Sequence, residues 1–161
     1  MGKWEKRNLS ILGKDKIINS GIRVLELEAK AIRALSENLS STFCEAVEIL
    51  SKCNGKVIVT GMGKSGHIGQ KIAATFSSTG TPAQFIHPGE ASHGDLGNIS
   101  KEDILIILSN SGETPELYNI VTYSKKSQIP IIGISSKQSS TLSENSNISL
   151  VLPDLAEACP N

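Results

Sequence analysis

Apolar residues recur at three- and four-residue steps in the first third of the chain and run together in short bursts through the rest. Ile18, Ile22, Leu25, Ala29, Ile32 and Leu39 follow the first rule, which is the spacing of one face of a long helix between Asp15 and Leu39. Val24 and Leu27 lie off that stripe, so the helix is apolar on more than one side. A second subunit is the expected cover for the extra face, giving a homodimer or homotetramer, and packing across its own domain is the alternative. Thr42 with Glu45 has the form of a capping box, and Phe43, Val47 and Leu50 then carry a second helix to a stop at Asn54-Gly55.

From Gly55 the pattern changes to strands alternating with helices. Runs at 56–60, 83–86, 104–108, 131–134 and 148–152 read as five strands. The third, Ile104 to Leu108, is apolar at every position, as a strand buried on both faces of a parallel sheet must be. Ser65 to Ser78 reads as a helix stopped by Gly80, and Thr114-Pro115 opens another through Ser124, with Thr as cap and Pro in the first turn. Strand alternating with helix gives the α/β class, and right-handed crossovers make it a doubly wound five-stranded parallel sheet flanked by helices. Residues 1–54 form an N-terminal helical segment and 55–161 the core, with too few residues after the fifth strand for a helix to cover it.

Composition narrows the partners. Sixteen basic residues balance sixteen acidic ones and aromatics are 4%, which leaves neither a basic groove nor stacking platforms for nucleic acid. No apolar run approaches the roughly 20 residues of a membrane span, and no signal-peptide stretch follows the charged N-terminus, so a cytoplasmic location is expected. Cys44, Cys53 and Cys159 lack the spacing of a disulfide framework or a structural zinc site.

Ligands of open parallel sheets gather at the carboxyl ends of the strands, which singles out two loops. Gly61-Met-Gly-Lys-Ser-Gly66 follows the first strand and opens a helix; its glycines admit an oxyanion to the backbone N–H groups, and Lys64 and Ser65 add a charge and a hydroxyl. It lacks the earlier glycine of a Walker loop. It matches the dinucleotide fingerprint, but the second strand ends in Ile86-His87-Pro88 instead of the acidic residue a ribose needs. A nicotinamide site and a purely structural turn are the other readings. The second loop, Ser109-Asn-Ser-Gly-Glu-Thr114, offers the hydroxyls of Ser109, Ser111 and Thr114 at a helix start, a donor set suited to a phosphate monoester. Ser135 and Ser136 could add donors. Between strands two and three, His87 and His93 stand with Glu90 and Asp95 in a long loop, suited to substrate contact or to a divalent metal, although the spacing matches no standard zinc signature.

Gly61 to Gly69, Ser77 to Pro82, His87 to Gly97, Ser109 to Thr114 and Glu157-Ala-Cys-Pro160 together resemble the sugar isomerase (SIS) domain of the arabinose-5-phosphate isomerases, a flavodoxin-like fold. The resemblance covers the chain from the first long helix onward. It implies interconversion of D-arabinose 5-phosphate and D-ribulose 5-phosphate with no required cofactor. It also implies catalytic roles for Lys64, Glu113 and Glu157, and substrate contacts at Gly80, His87 and His93. Ser65, Ser109, Ser111 and Thr114 match the wider phosphate-binding pattern, and His87 matches a position where the family can hold an inhibitory zinc. Chemically, Glu113 or Glu157 is expected to act as base with a pKa raised by partial burial, and Lys64 to stabilise negative charge. Glu113 also has a plain structural reading as a first-turn acid. Family members continue beyond Glu-Ala-Cys-Pro into a further helix, a histidine-bearing segment and usually a CBS pair, so the chain resembles an incomplete isomerase. A phosphosugar-binding module without turnover is the alternative function.

Overall fold

The computed structural model describes residues 13–154 and Ala158. Residues 39–152 form one compact unit; Met1–Asn38 together with Pro153–Asn161 form a second. Within the second unit, α1 spans Lys14–Glu37 and buries none of its residues. The apolar stripe is present and faces outward: Ile18, Ile22, Leu25 and Ile32 are each about half exposed or more, whereas the off-stripe Val24 and Leu27 are half-buried. Arg23 Nη2 donates to the carbonyl of Ala158 at 3.0 Å.

The larger unit begins with α2, Ser41–Ser51. Its N-cap is Ser40, without a side-chain cap bond, so the expected Thr42–Glu45 box does not form because the helix starts one residue before Thr42. Five strands follow: β1 Val57–Gly61, β2 Ala83–Phe85, β3 Ile104–Leu108, β4 Ile131–Ser135 and β5 Ile148–Val151, all parallel and ordered β2-β1-β3-β4-β5. This is the doubly wound sheet the pattern predicts. Between the strands lie α3 Lys64–Ser78, the short α4 Pro88–Ala91, α5 Tyr118–Lys126 entered through a 3-10 turn at Pro115–Leu117, and α6 Thr141–Asn145.

Alternation splits β1 and β3 between two cores. Val57, Val59, Ile104, Ile106 and Leu108 join Ala46 of α2 and Ala73 of α3 on one face; Ile58, Leu105 and Ile107 join Leu117, Ile120 and Leu142 on the other. Each of the valines, leucines and isoleucines contributes roughly 1.5–3 kcal/mol when fully buried. At the amino edge, the buried carboxylate of Asp103 accepts the N–H of Lys56 and of Ser100, each at 2.7 Å, and thereby ties the start of β1 to the start of β3. The resulting register pairs Gly61 with Leu108. The loops that leave these two strands therefore start side by side.

Candidate functional site

The strand order changes direction at β1 and β3: the chain leaves β1 for β2 on one side and β3 for β4 on the other. Ligands of such sheets bind outside the carboxyl ends of the strands at a switch point of this kind. The first loop is built from backbone. Gly63 adopts φ +57 immediately before α3, a left-handed turn that favours glycine. A Cβ on Gly66 would lie 2.7 Å from the carbonyl oxygen of Gly61, so glycine alone lets the start of α3 sit against the end of β1. The N–H of Gly66 donates to the carbonyl of Met62 at 3.3 Å and that of His67 to Gly63 at 3.1 Å, while those of Lys64 and Ser65 have no partner among the described residues and carry the positive end of the helix. Lys64 is exposed and Ser65 half-buried. Among the described residues neither side chain makes a hydrogen bond, so both remain available to a ligand.

The second loop is built from side chains. Ser109 is buried; its hydroxyl stands 2.7 Å from that of Thr114 and accepts the N–H of Gly112 at 3.0 Å. The Ser111 hydroxyl accepts the N–H of Glu113 at 3.2 Å. Thr114 precedes the 3-10 turn but makes no side-chain cap bond, contrary to its expected capping role, because its hydroxyl is paired with Ser109. Ser135 donates to the carbonyl of Lys137, and Ser136 to the carbonyl and side-chain oxygens of Asn110. Ser136 thus braces the second loop through Asn110, whereas the Ser135 hydroxyl closes its own turn after β4.

Glu113 is corrected more sharply. Its carboxylate is exposed and accepts two hydrogen bonds from Thr141, the N–H at 2.7 Å and the hydroxyl at 2.6 Å. The hydroxyl bond, then the N–H bond, holds its pKa below the ordinary 4.5, against a small opposing effect of desolvation. The expected rise through burial does not occur because the side chain stays in solvent and its partners stabilise the charged form. Thr141 carries no sequence motif that singles it out; the only local signal was a Ser-Thr pair ahead of Leu142, the form of a helix start.

His87 follows β2 at the same sheet edge and caps α4, its Nδ1 accepting the N–H of Gly89 at 3.2 Å. His93 is exposed in the next turn, and Asn119 Nδ2 ties Ser92 to α5 at 2.8 Å. Among the described residues no three His, Cys, Asp or Glu side chains gather closely enough to hold a metal ion. Gly80, at φ +94, ends α3. The 15-residue helix carries it roughly 22 Å from the loop where the helix begins, so within one copy Gly80 stands at the opposite edge of the sheet. Glu157 lies outside the described residues. No helix of the described residues is long and apolar enough to cross a membrane.

Comparison with known proteins gives the family. The SIS domain family matches residues 49–159. An arabinose 5-phosphate isomerase KdsD of Yersinia pestis is 48% identical over 141 residues, covering 88% of this chain and 43% of that protein. The Francisella tularensis protein of the same name is 49% identical over 146 residues, covering 89% and 45%. The chain thus spans less than half the length of these curated relatives. An Escherichia coli CFT073 protein solved in complex with arabinose 5-phosphate superposes with a TM-score of 0.87 at 37% identity, covering 91% of this chain and 78% of that one. The family match, the relatives and the sheet order agree, and the chain belongs to the SIS domain family.

Proposed function

We propose that this chain grips a pentose 5-phosphate at the switch point above β1 and β3 and interconverts D-arabinose 5-phosphate and D-ribulose 5-phosphate through an enediolate. The observation that carries the reading is the juxtaposition of two helix-start loops by the Gly61–Leu108 register, supported by relatives named for this reaction. Ser65, Ser111, Thr114 and the loop N–H groups would hold the phosphate, with Ser109 fixing Thr114. A base removes the proton on C2 and returns it to C1 while the hydroxyl proton moves from O2 to O1; the electrons stay within the sugar, so the reaction balances without a redox cofactor. Lys64 would offset the enediolate charge. Glu113, kept ionised at neutral pH, is the described carboxylate able to accept the proton, with Glu157 as the second. His87, His93 and Gly80 are assigned to substrate contact by family resemblance, and no step uses zinc. The outward stripe of α1 supports a homodimer or homotetramer, and a cytoplasmic location suits a phosphorylated substrate.

A binding module without turnover is the second reading, favoured by one observation: both oxygens of Glu113 are already engaged by Thr141. Phosphorus NMR of D-arabinose 5-phosphate with the purified chain separates the two. A growing ribulose 5-phosphate line is the expected result. A substrate line that shifts without a new one would leave a binding module, and an unaltered line would overturn both readings.

A further inference from the structure

We propose that Thr141 is the positioning residue for Glu113, the first turn of α6 fixing both carboxylate oxygens over the loop that follows β3. The catalytic consequence rests on the isomerase reading; the contact itself does not. An exposed glutamate ordinarily wanders, because fixing its side chain costs rotamer freedom. Here two donors from one residue grip the flat carboxylate as a fork, at 2.7 and 2.6 Å.

The fork is itself held. Leu142 N–H donates to the carbonyl of Gly112 at 3.0 Å. The buried Ser140 side chain sits against the α-carbon of Gly112, where a Cβ would strike it. Ser140 Oγ accepts the N–H of Ser143 and donates to the carbonyl of Lys137. Three consecutive residues of the α6 turn thus lock onto Gly112 and Glu113.

The chemistry of the fork also suits a proton acceptor. The ionisable side chains lining the same groove between α5 and α6 are Lys125 and Tyr118, both from α5. The Lys125 ammonium donates to Asn145 Oδ1 at 2.7 Å, and Asn145 Nδ2 donates to the carbonyl of Thr141 at 2.7 Å. A neutral amide therefore stands between the cation and the residue that holds the carboxylate. Glu113 is oriented by neutral donors instead of being neutralised by an ammonium. A carboxylate offers about four lone-pair sites; Thr141 takes two, which leaves two for a substrate proton.

The test compares Thr141→Val, which keeps the N–H and the bulk but loses the hydroxyl, with Thr141→Ser, which keeps both donors. Carbon-13 NMR titration of the Glu113 carboxyl should show a midpoint raised towards 4.5 in the valine variant and unmoved in the serine variant. Turnover should fall about 10- to 100-fold in kcat for valine, the scale of a misplaced catalytic group. KM should stay within about twofold, and serine should restore the rate. Glu113→Gln combined with Thr141→Val should lose no more than Glu113→Gln alone, as expected of two residues acting as one unit. An unchanged midpoint in the valine variant, or additive losses in the double variant, would overturn the proposal. A chain without turnover in its natural sequence would refute the isomerase reading, while the titration would still decide the Thr141 contact.

Discussion

The loops after β1 and β3 sit at one edge of one sheet, each at the start of a helical segment, yet they are made in opposite ways. The first owes its shape to glycine: a left-handed Gly63 and a Gly66 pressed against Gly61, with Lys64 and Ser65 left uncommitted. The second spends its side chains on itself, joining Ser109 to Thr114, Ser111 to Glu113, and Glu113 to Thr141 across 28 residues of sequence. A backbone loop keeps its functional groups free to meet a ligand and relies on close approach. A hydroxyl-built loop presents groups whose positions are already fixed, which lowers the ordering cost when a ligand arrives. One sheet edge thus combines adaptable charge on the β1 side with rigid donors on the β3 side.

The contrast can be broken at its glycines. Gly112→Ala should have the largest effect. Its φ of +69 disfavours a Cβ, and that atom would fall on the Ser140 side chain that caps α6. A left-handed alanine costs roughly 1–2 kcal/mol and a lost cap about 1 kcal/mol, so urea unfolding should show a loss of about 2–3 kcal/mol. Gly66→Ala forces a Cβ to 2.7 Å from the Gly61 carbonyl but gains about 1 kcal/mol of helix propensity. The net loss in stability should be smaller than for Gly112→Ala, with a proportionally greater loss of phosphate affinity in calorimetry. Equal effects of the two substitutions on both measurements would erase the distinction between the loops.

Two smaller effects sharpen it. Thr60 precedes the first loop, fully buried, and its hydroxyl has no partner among the described residues. Replacing it with the isosteric valine should stabilise the fold by about 1 kcal/mol, since an unsatisfied buried hydroxyl carries a desolvation penalty. Unfolding at lower denaturant than the natural chain would show that this end of β1 does depend on a side-chain bond. Glu113 has a folded pKa below its ordinary 4.5, so its contribution is fully present above that value and is lost as pH falls through the folded pKa. Glu113→Gln should therefore flatten the acid limb of the stability profile between those two points, and an unchanged limb would count against the Thr141 contact.

The sheet was legible because its strands are short β-branched or aliphatic runs, and the all-apolar Ile104 to Leu108 run declared a strand covered on both faces. The two loops were legible because glycines and hydroxyls cluster directly after such runs. What escaped was local in sequence but decided elsewhere. The start of α2 went to Ser40 instead of Thr42, a shift of the kind that helix ends commonly show. The five-residue α6 is too short and serine-rich to display a helical period. The Glu113–Thr141 fork, and with it the direction of the Glu113 pKa, depends on α6 packing against Gly112, a contact with no periodic signature. Asp103 has no motif of its own beyond standing before a strand, although its carboxylate ties the amino ends of β1 and β3 together.

The most direct test of the two-loop site is an amide nitrogen–proton NMR titration of the chain with D-arabinose 5-phosphate. The N–H signals of Gly63 to Gly66 and of Ser109 to Thr114 should shift together along one binding curve. Shifts confined to one loop, or centred on the groove between α5 and α6, would contradict a phosphate held between β1 and β3.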